Sequence, residues 1–320
     1  MSQGSKMLRA VSFLLFLLLP SLSFAQSCNF SISNLNFGAV DTLSGSQTNS
    51  TATININCTG LTLQRILICP NLGAGSGGSS SAAARQMLNG ANLLNYQLYS
   101  DSARSVVWGS FSWPYPARSP AYALTLDALG SASGTITIYG AVQGGQSVVA
   151  PGTYLSTFSG GEAPFRYFYS LLSSDCTTAA GTPASPTFTV NATVAANCLV
   201  AVQNIDFGTK GVLSANSDAT GGVSVTCTPG TTYTVSLNGG TTNSPPTARK
   251  MSKGTETVTY GLYKDAARSQ PWGDATTPGS TVAGAGNGLV QQLTVYGRVP
   301  PQTTPSPGTY TDTVVVTLTY

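Results

Sequence analysis

The stretch QLYSDSARSVVWGS at residues 97–110 returns as GLYKDAARSQPWGD at residues 261–274, with eight of the fourteen positions identical. Other short phrases recur in the same order in both halves of the chain. They are NLNFG (34–38) and NIDFG (204–208), TIYG (137–140) and TVYG (294–297), and PGTY (151–154 and 307–310). Collinear repeats whose separation falls slowly along the chain indicate a duplicated domain with insertions in the first copy.

The segments around these phrases have the pattern of short β-strands. Apolar residues stand at every second position in TATININC (51–58), TITIYGAV (135–142) and TYTVSLNG (232–239), as in half-buried strands. Gly and Pro interrupt the chain too often for long helices. The sequence therefore predicts an all-β protein of two tandem immunoglobulin-like antiparallel β-sandwich domains.

The repeated phrase allows two interpretations. Tyr99, Asp101, Arg104 and Trp108 could form a binding site, or Arg and Asp could pair in a turn while Trp and Tyr pack at the edge of the sandwich. The phrase occurs in both copies, and the second interpretation needs nothing beyond the fold. We therefore expect the phrase to serve folding.

The first residues predict export. An apolar run too short to span a bilayer (10–20) follows two cationic residues, and Ser23, Phe24 and Ala25 have the pattern of a signal-peptidase site. Residues 1–25 are thus a predicted signal peptide, and the mature chain enters an oxidising compartment. Two pairs among the six cysteines have nearly equal spacing, which predicts one disulfide per copy and a third from the remaining pair. The predicted disulfides are Cys28–Cys58, Cys198–Cys227 and Cys69–Cys176.

Composition argues against several classes of function. The chain has no histidine, only 8% charged residues and a net charge of +3 without a basic stripe. No spacing typical of a catalytic or metal site occurs, so we expect no enzyme activity, no metal and no cofactor. The scattered Lys and Arg residues do not suggest a nucleic-acid partner.

Together these features resemble the spore coat protein U domain, which occurs in pilins of archaic, Csu-type chaperone-usher pili. The shared features are a cysteine near the domain start, Asn-x-x-Phe-Gly, a second cysteine about 30 residues later, the Trp-Gly phrase, a Tyr-Gly strand and Pro-Gly-Thr-Tyr. Two tandem domains, the first elaborated, are similar to the tip adhesin of such a pilus. The resemblance implies sandwiches that lack their last strand. A periplasmic chaperone completes such a sandwich first, and at the outer-membrane usher the donor strand of the next pilin subunit replaces it.

This resemblance predicts how the chain is divided. We expect an N-terminal adhesin domain at 26–182, a linker or donor strand at 183–197 and a C-terminal pilin domain at 198–320 that lacks its last strand. Only Gln26 and Ser27 precede Cys28, so the first copy has no free donor strand and is expected at the distal end of a fibre. The linker has alternating apolar residues that suit a strand completing the first copy in the same chain, namely Phe188, Val190, Ala192 and Val194.

Two further segments are candidate interaction sites. The final stretch TDTVVVTLTY (311–320) is expected to border the empty groove, with Val314, Val316, Leu318 and Tyr320 facing the chaperone. The aromatic loops of the first copy are candidates for contact with an abiotic or host surface. Trp113, Pro114, Tyr115 and Pro116 are expected at an exposed rigid loop tip. Phe165 and Tyr167 are further candidates, for which burial in an enlarged core is an equal alternative.

The functional prediction is therefore a secreted tip adhesin of a chaperone-usher pilus, displayed at the cell surface and active in attachment and biofilm formation. The alternative is a structural coat protein of a spore or cell surface with no specific receptor.

Overall fold

The computed structural model describes residues 26–169, 175–276 and 280–320, so the predicted signal peptide lies outside the described residues. The first copy contains strands β1 Ser27–Ile32, β2 Leu35–Val40, β3 Thr48–Thr59, β4 Arg65–Cys69, β5 Ser79–Ser81, β6 Ala84–Asn89, β7 Asn92–Tyr99, β8 Tyr122–Thr125, β9 Ser131–Val142, β10 Gly152–Phe158, β11 Phe165–Tyr169, β12 Thr182–Ala184 and β13 Phe188–Val194, with a 3-10 turn at Gly160–Glu162.

The second copy follows without a further strand in between. Its strands are β14 Cys198–Gln203, β15 Ser217–Cys227, β16 Thr232–Leu237, β17 Arg249–Lys253, β18 Glu256–Tyr263, β19 Val282–Ala285, β20 Gln291–Val299 and β21 Val316–Thr319. Within the described ranges, no helix is long and apolar enough to cross a membrane.

Each copy forms two sheets. In the first copy the large sheet has the order β1-β3-β9-β7-β6-β10-β13-β2, with β5 on β6, and the small sheet has the order β12-β11-β4-β8. In the second copy the corresponding orders are β14-β15-β20-β18-β17 and β19-β16-β21. The fold class predicted from the sequence is confirmed. One pairing differs from a purely antiparallel sandwich, because β13 runs parallel to β2.

The alternation of apolar residues explains why each copy has one core. Ala52, Ile54 and Ile56 of β3 are buried between the sheets, while Thr53 and Asn55 between them face outward. The same pattern buries Val223 and Val225 of β15 in a separate core in the second copy. Period-two patterning places one face of a strand in the core and leaves the other for solvent.

Three disulfides join the pairs expected from the spacing. Cys28–Cys58 and Cys198–Cys227 occupy the same place in the two copies, where they join the first strand to its neighbour. Cys69–Cys176 lies in the first copy and connects β4 to the segment after β11.

The repeated phrase folds as a turn, but the expected pairing of its Arg with its Asp is wrong. Asp101 accepts hydrogen bonds from the backbone N–H groups of Ser105 and Val106, so the carboxylate closes its own loop. Arg104 instead donates to the carbonyl oxygen of Gly140 at 3.1 Å. Trp108 is fully buried in the core and does not lie at the sandwich edge. The phrase holds a loop against the sheet through backbone contacts.

A buried arginine in each copy completes this arrangement. The Arg85 guanidinium donates to the carbonyl oxygens of Gly73 (2.7 Å), Leu72 (2.9 Å) and Trp108 (2.5 Å), and desolvation lowers the pKa of Arg85 to about 10. Arg249 occupies the equivalent place in the second copy and donates to the carbonyl oxygen of Trp272. Strand β6, which carries Arg85, thus has its counterpart in β17, which carries Arg249.

Candidate functional site

Strand β13 fills a gap in the large sheet of the first copy. It pairs antiparallel with β10 along its whole length, from Phe158↔Phe188 to Gly152↔Val194, and parallel with β2 on its other side. The Phe188 ring stacks on Phe158 with 4.6 Å between centroids. The inward residues of β13 are 3, 0, 1 and 2% exposed; they are Phe188, Val190, Ala192 and Val194. The segment expected as a linker or donor strand is thus an integral strand of this sandwich.

The second copy has the two neighbours of such a strand but nothing between them. Segment 204–210 corresponds to β2, and segment 308–314 corresponds to β10, because Thr311 forms a bridge with Ser252 at the place where Leu155 pairs with Leu88. Among the described residues, no strand pairs with either segment on the side where β13 lies in the first copy. We call the surface between 204–210 and 308–314 the open groove.

Burial in the two copies differs as expected for a filled and an unfilled site. The apolar residues that β13 covers in the first copy are fully buried, whereas their counterparts in the second copy are half-buried and pack only on their own core. The counterparts are Leu35 and Ile205, Phe37 and Phe207, Tyr154 and Tyr310, and Phe158 and Val314. The open groove therefore presents an apolar floor together with two unpaired backbone edges.

The backbone of the groove already has the conformation that the filled site uses. Gly208 has a φ of +70°, as Gly38 has a φ of +68° in the first copy. The N–H of Gly208 donates to Asp206 Oδ1 at 2.7 Å, and that of Gly38 donates to Asn36 Oδ1 at 2.7 Å. A positive φ favours glycine, and an Asx turn stabilises it. Segment 204–210 is thus held in the β2 conformation without a partner strand.

One carboxylate lies on the wall of the groove. Asp312, the counterpart of Ser156, accepts hydrogen bonds from the Tyr260 hydroxyl (2.7 Å) and from the N–H groups of Thr241 and Thr313 (both 2.8 Å). Partial burial raises the pKa of Asp312, but these hydrogen bonds outweigh it, so the pKa lies below its usual range. The hydrogen bonds of this carboxylate are therefore made within the domain.

Comparison with known proteins agrees with this duplicated architecture. The profile of the Spore Coat Protein U domain matches residues 14–160 and 184–317. The chain belongs to the spore coat protein U domain family. Protein U of Myxococcus xanthus is 36% identical over 130 residues, which cover 36% of this chain and 71% of that protein.

Among solved structures, the fold is similar to the CsuC–CsuE chaperone–tip adhesion subunit pre-assembly complex from archaic chaperone-usher Csu pili of Acinetobacter baumannii. The TM-score is 0.53 with 17% identity, over 92% of this chain and all of that chain. The CupB6 tip adhesin of Pseudomonas aeruginosa matches with a TM-score of 0.38 and 14% identity, over 92% of this chain and 94% of that chain.

The final strand of the second spore coat U domain lies beside the open groove. Strand β21 pairs with β16 on one side, and on its other side it has no partner strand among the residues described. Val314, Val316 and Leu318 are half-buried against the second core, and Tyr320 is exposed. The regular strand is shorter than the predicted stretch 311–320, because residues before Val316 turn toward β17.

The expectation of an exposed aromatic loop tip in the first spore coat U domain is wrong. Trp113 is only 4% exposed, because its ring lies under the Arg85 guanidinium at 4.2 Å from the ring centroid. An indole face attracts a guanidinium, and this contact draws the loop onto the sandwich. Pro114 and Pro116 are exposed, and Tyr115 is half-buried against Trp113.

Phe165 and Tyr167 are also buried, so they are not surface residues. Both lie on β11 and contact Phe30 of β1, with ring centroids 5.3 and 5.9 Å apart. The core alternative considered for these residues is the correct one. The inserted aromatics of the first domain enlarge its core.

A different set of apolar residues is exposed in the first domain. Leu61, Leu63 and Leu129 are 54, 71 and 84% exposed, and their two turns are joined by a hydrogen bond from the N–H of Gly60 to the carbonyl of Gly130 at 2.9 Å. We call them the leucine turns. Leu63 has a φ of +59°, which is uncommon for a residue with a side chain. The sequence signal was leucine within turn segments rich in Gly and Thr, which the sequence analysis missed.

The strand register places the leucine turns at the end of the first domain far from the second. Thr48 of β3 pairs with Val142, and Thr59 pairs with Ser131, next to the leucine turns. Ser50, near the opposite end of β3, donates to the carbonyl of Asn36 in β2, and β2 and β13 run together towards the start of the second domain. Among the described residues, the leucine turns thus lie at the end of the first domain opposite the second domain, which we call the free end.

Proposed function

We propose that this chain is the tip subunit of a chaperone-usher pilus and that a β-strand from a partner completes its second domain in the open groove. A periplasmic chaperone would supply that strand first and the next pilin subunit later, with transfer at the outer-membrane usher. The chain would reach the cell surface through the periplasm. We propose that the chain is not an enzyme, and its membership of the spore coat protein U domain family supports this.

The observation that carries the proposal is the contrast between the two copies. In the first copy a strand covers Leu35, Phe37, Tyr154 and Phe158, whereas in the second copy the equivalent residues are left partly open. An incoming strand would pair with two preformed backbone edges and bury the apolar floor, which is the physical basis of β-strand addition. The similar Csu structure is a complex of a tip adhesion subunit with its chaperone, which is consistent with this partner.

Co-expression of the full chain with a periplasmic pilus chaperone tests the proposal. Ile205→Lys places a charge on the groove floor and should prevent a stable complex, because a strand seated there would bury the ammonium group. Leu289→Lys changes a residue that is already 59% exposed elsewhere on the second domain and should leave the complex intact. Equal recovery of the complex with both variants would refute the groove as the contact, and no complex with any chaperone would favour a coat protein.

We further propose that attachment to abiotic or host surfaces, and hence a role in biofilm formation, depends on the leucine turns and not on Trp113 or Tyr115. Exposed leucines at the free end would meet a surface first, and their burial there is favourable by roughly 25 cal/mol per Å².

Adhesion of piliated cells to polystyrene tests this second part. Leu63→Ser with Leu129→Ser should reduce attachment strongly while pilus assembly is unchanged. Val148→Ser removes a 65% exposed apolar residue from the other end of the domain and should have no effect. Attachment that is lost equally in the control would place the adhesive surface elsewhere.

A further inference from the structure

The two segments of the open groove carry three charged residues, Asp206, Lys210 and Asp312, where the filled site of the first domain has none, and the lysine lies at one end. In the first domain Val194 of β13 lies beside Val40 of β2, and both side chains are buried. The counterpart of Val40 in the second domain is Lys210, which is exposed. No carboxylate of the described residues lies within 4 Å of Lys210. An incoming strand that follows the path of β13 therefore brings its last inward residue to a lysine without an ionic partner.

The conformation of segment 204–210 shows which residue of an incoming strand would lie beside Lys210. Gly38 and Gly208 have the same left-handed conformation, each held by the preceding Asx side chain. In the first domain this turn lies at the register shift where the pairing passes from Asn191↔Asn36 to Thr193↔Ala39, two residues along β13 and three along β2. The same step in the second domain brings residue 210 beside the inward position that Val194 occupies on β13.

The other differences between the grooves are one change of side-chain volume and two carboxylates that accept hydrogen bonds within the domain. Val314 replaces Phe158 and leaves more room for the first inward residue of a strand. Asp312 replaces Ser156, but its carboxylate is already hydrogen-bonded to Tyr260 and to residue 241. Asp206 replaces Asn36 and keeps the hydrogen bond from the N–H of the glycine two residues on. Lys210 is thus the charged residue of the groove that has no hydrogen-bonded or ionic partner among the described residues.

We propose that the open groove selects a strand with an acidic residue at the position that Val194 occupies in β13, and that it disfavours the chain's own segment 182–194. This inference rests on the proposed function. An apolar residue beside Lys210 would strip water from the ammonium group without compensation, whereas a carboxylate would form a charge-assisted contact. Because specificity is a difference between affinities, a lysine at this place also reduces capture of β13 from another copy of the chain.

Peptide binding to the full chain tests the proposal. The probes are the C-terminally amidated peptide TPASPTFTVNATV (182–194) and two versions of it with Val194→Glu or Val194→Lys, so that position 194 carries no terminal carboxylate. The Glu peptide should bind at least tenfold more tightly than the Lys peptide, and the difference should shrink as salt is raised. Full-length Lys210→Glu should reverse the order of the two peptides. Lys250→Glu, the same charge change at another exposed lysine of the second domain, should leave the order unchanged.

The outcomes separate the two levels of the argument. If all three peptides bind equally and Lys210→Glu changes nothing, the charge selection is refuted while strand acceptance by the groove stands. If Lys250→Glu reverses the order as well, the effect comes from net charge and the assignment to Lys210 is refuted. If no peptide binds at all, strand acceptance fails and the selection fails with it.

Discussion

Val190→Asp is the sharpest test of β13 as an integral strand of the first domain. The Val190 side chain is fully buried, with Ser156 of β10 and Leu35 of β2 as its paired neighbours. Losing this apolar burial costs roughly 1.5 to 3 kcal/mol. Placing an unpaired carboxyl group there costs roughly 2 to 7 kcal/mol more. The buried Ser156 hydroxyl has no partner of its own and can satisfy one lone pair, so the sum falls near the lower end.

The expected loss, about 4 to 6 kcal/mol, is comparable with the whole stability of a domain of this size, about 5 to 15 kcal/mol. Urea unfolding followed by tryptophan fluorescence measures it, because Trp108 and Trp113 report on the first domain and Trp272 on the second. The transition of the first domain should move to much lower urea or disappear. The transition of the second domain should stay in place.

Thr193→Asp is the matched control, because Thr193 lies on the same strand and faces solvent. It introduces the same charge without burial, so the first transition should shift by less than about 0.5 kcal/mol. Identical midpoints for Val190→Asp and Thr193→Asp would show that β13 is not packed in the first domain in solution. That result would also remove the filled reference against which the open groove is defined.

Three other outcomes follow from buried groups. Arg249→Met should destabilise the second domain by about 3 to 5 kcal/mol in urea unfolding, since it leaves several buried carbonyl groups without donors. Hydrogen bonds keep the pKa of Asp312 below its usual range, so its contribution to stability is present above about pH 4 and is lost as the pH falls through the folded pKa. Asp312→Asn should therefore make the stability of the second domain less dependent on pH, as measured by acid titrations followed by circular dichroism. Replacing Cys69 and Cys176 by serine should lower the stability of the first domain by about 2 to 5 kcal/mol, measured against the parent under oxidising conditions.

Much of the architecture was readable from the sequence, because period-two patterning and duplication are strong signals. The buried alternation of Ala52, Ile54 and Ile56 follows directly from TATININC. Two cysteine pairs follow from the near-equal spacing in the two copies, and the third joins the two cysteines that remain. Strand pairings between distant segments, such as β10 with β13, needed the structure.

The candidate surface residues were predicted less well, because single-sequence patterns do not show which aromatic residues are covered. Trp113 was expected at an exposed tip since prolines flank it, but the guanidinium of Arg85 holds its ring against the sandwich. Arg85 could have been found from the repeated Ala-Arg-x-Met at 84–87 and 248–251, which keeps the spacing of the Trp-Gly phrase. A buried arginine satisfied by backbone carbonyls leaves no other mark in a sequence.

The two Asn-x-x-Phe-Gly type motifs show that local sequence does not decide strand formation here. NLNFG forms part of β2 because β13 pairs with it, whereas NIDFG has nearly the same residues and the same glycine conformation yet belongs to no regular strand. The difference lies in the neighbour, since a strand is defined by its hydrogen-bonded partner. The chain preforms this edge twice and, among the described residues, fills it once. In our proposal the second edge accepts a strand from another molecule, and the lysine at residue 210 selects that strand.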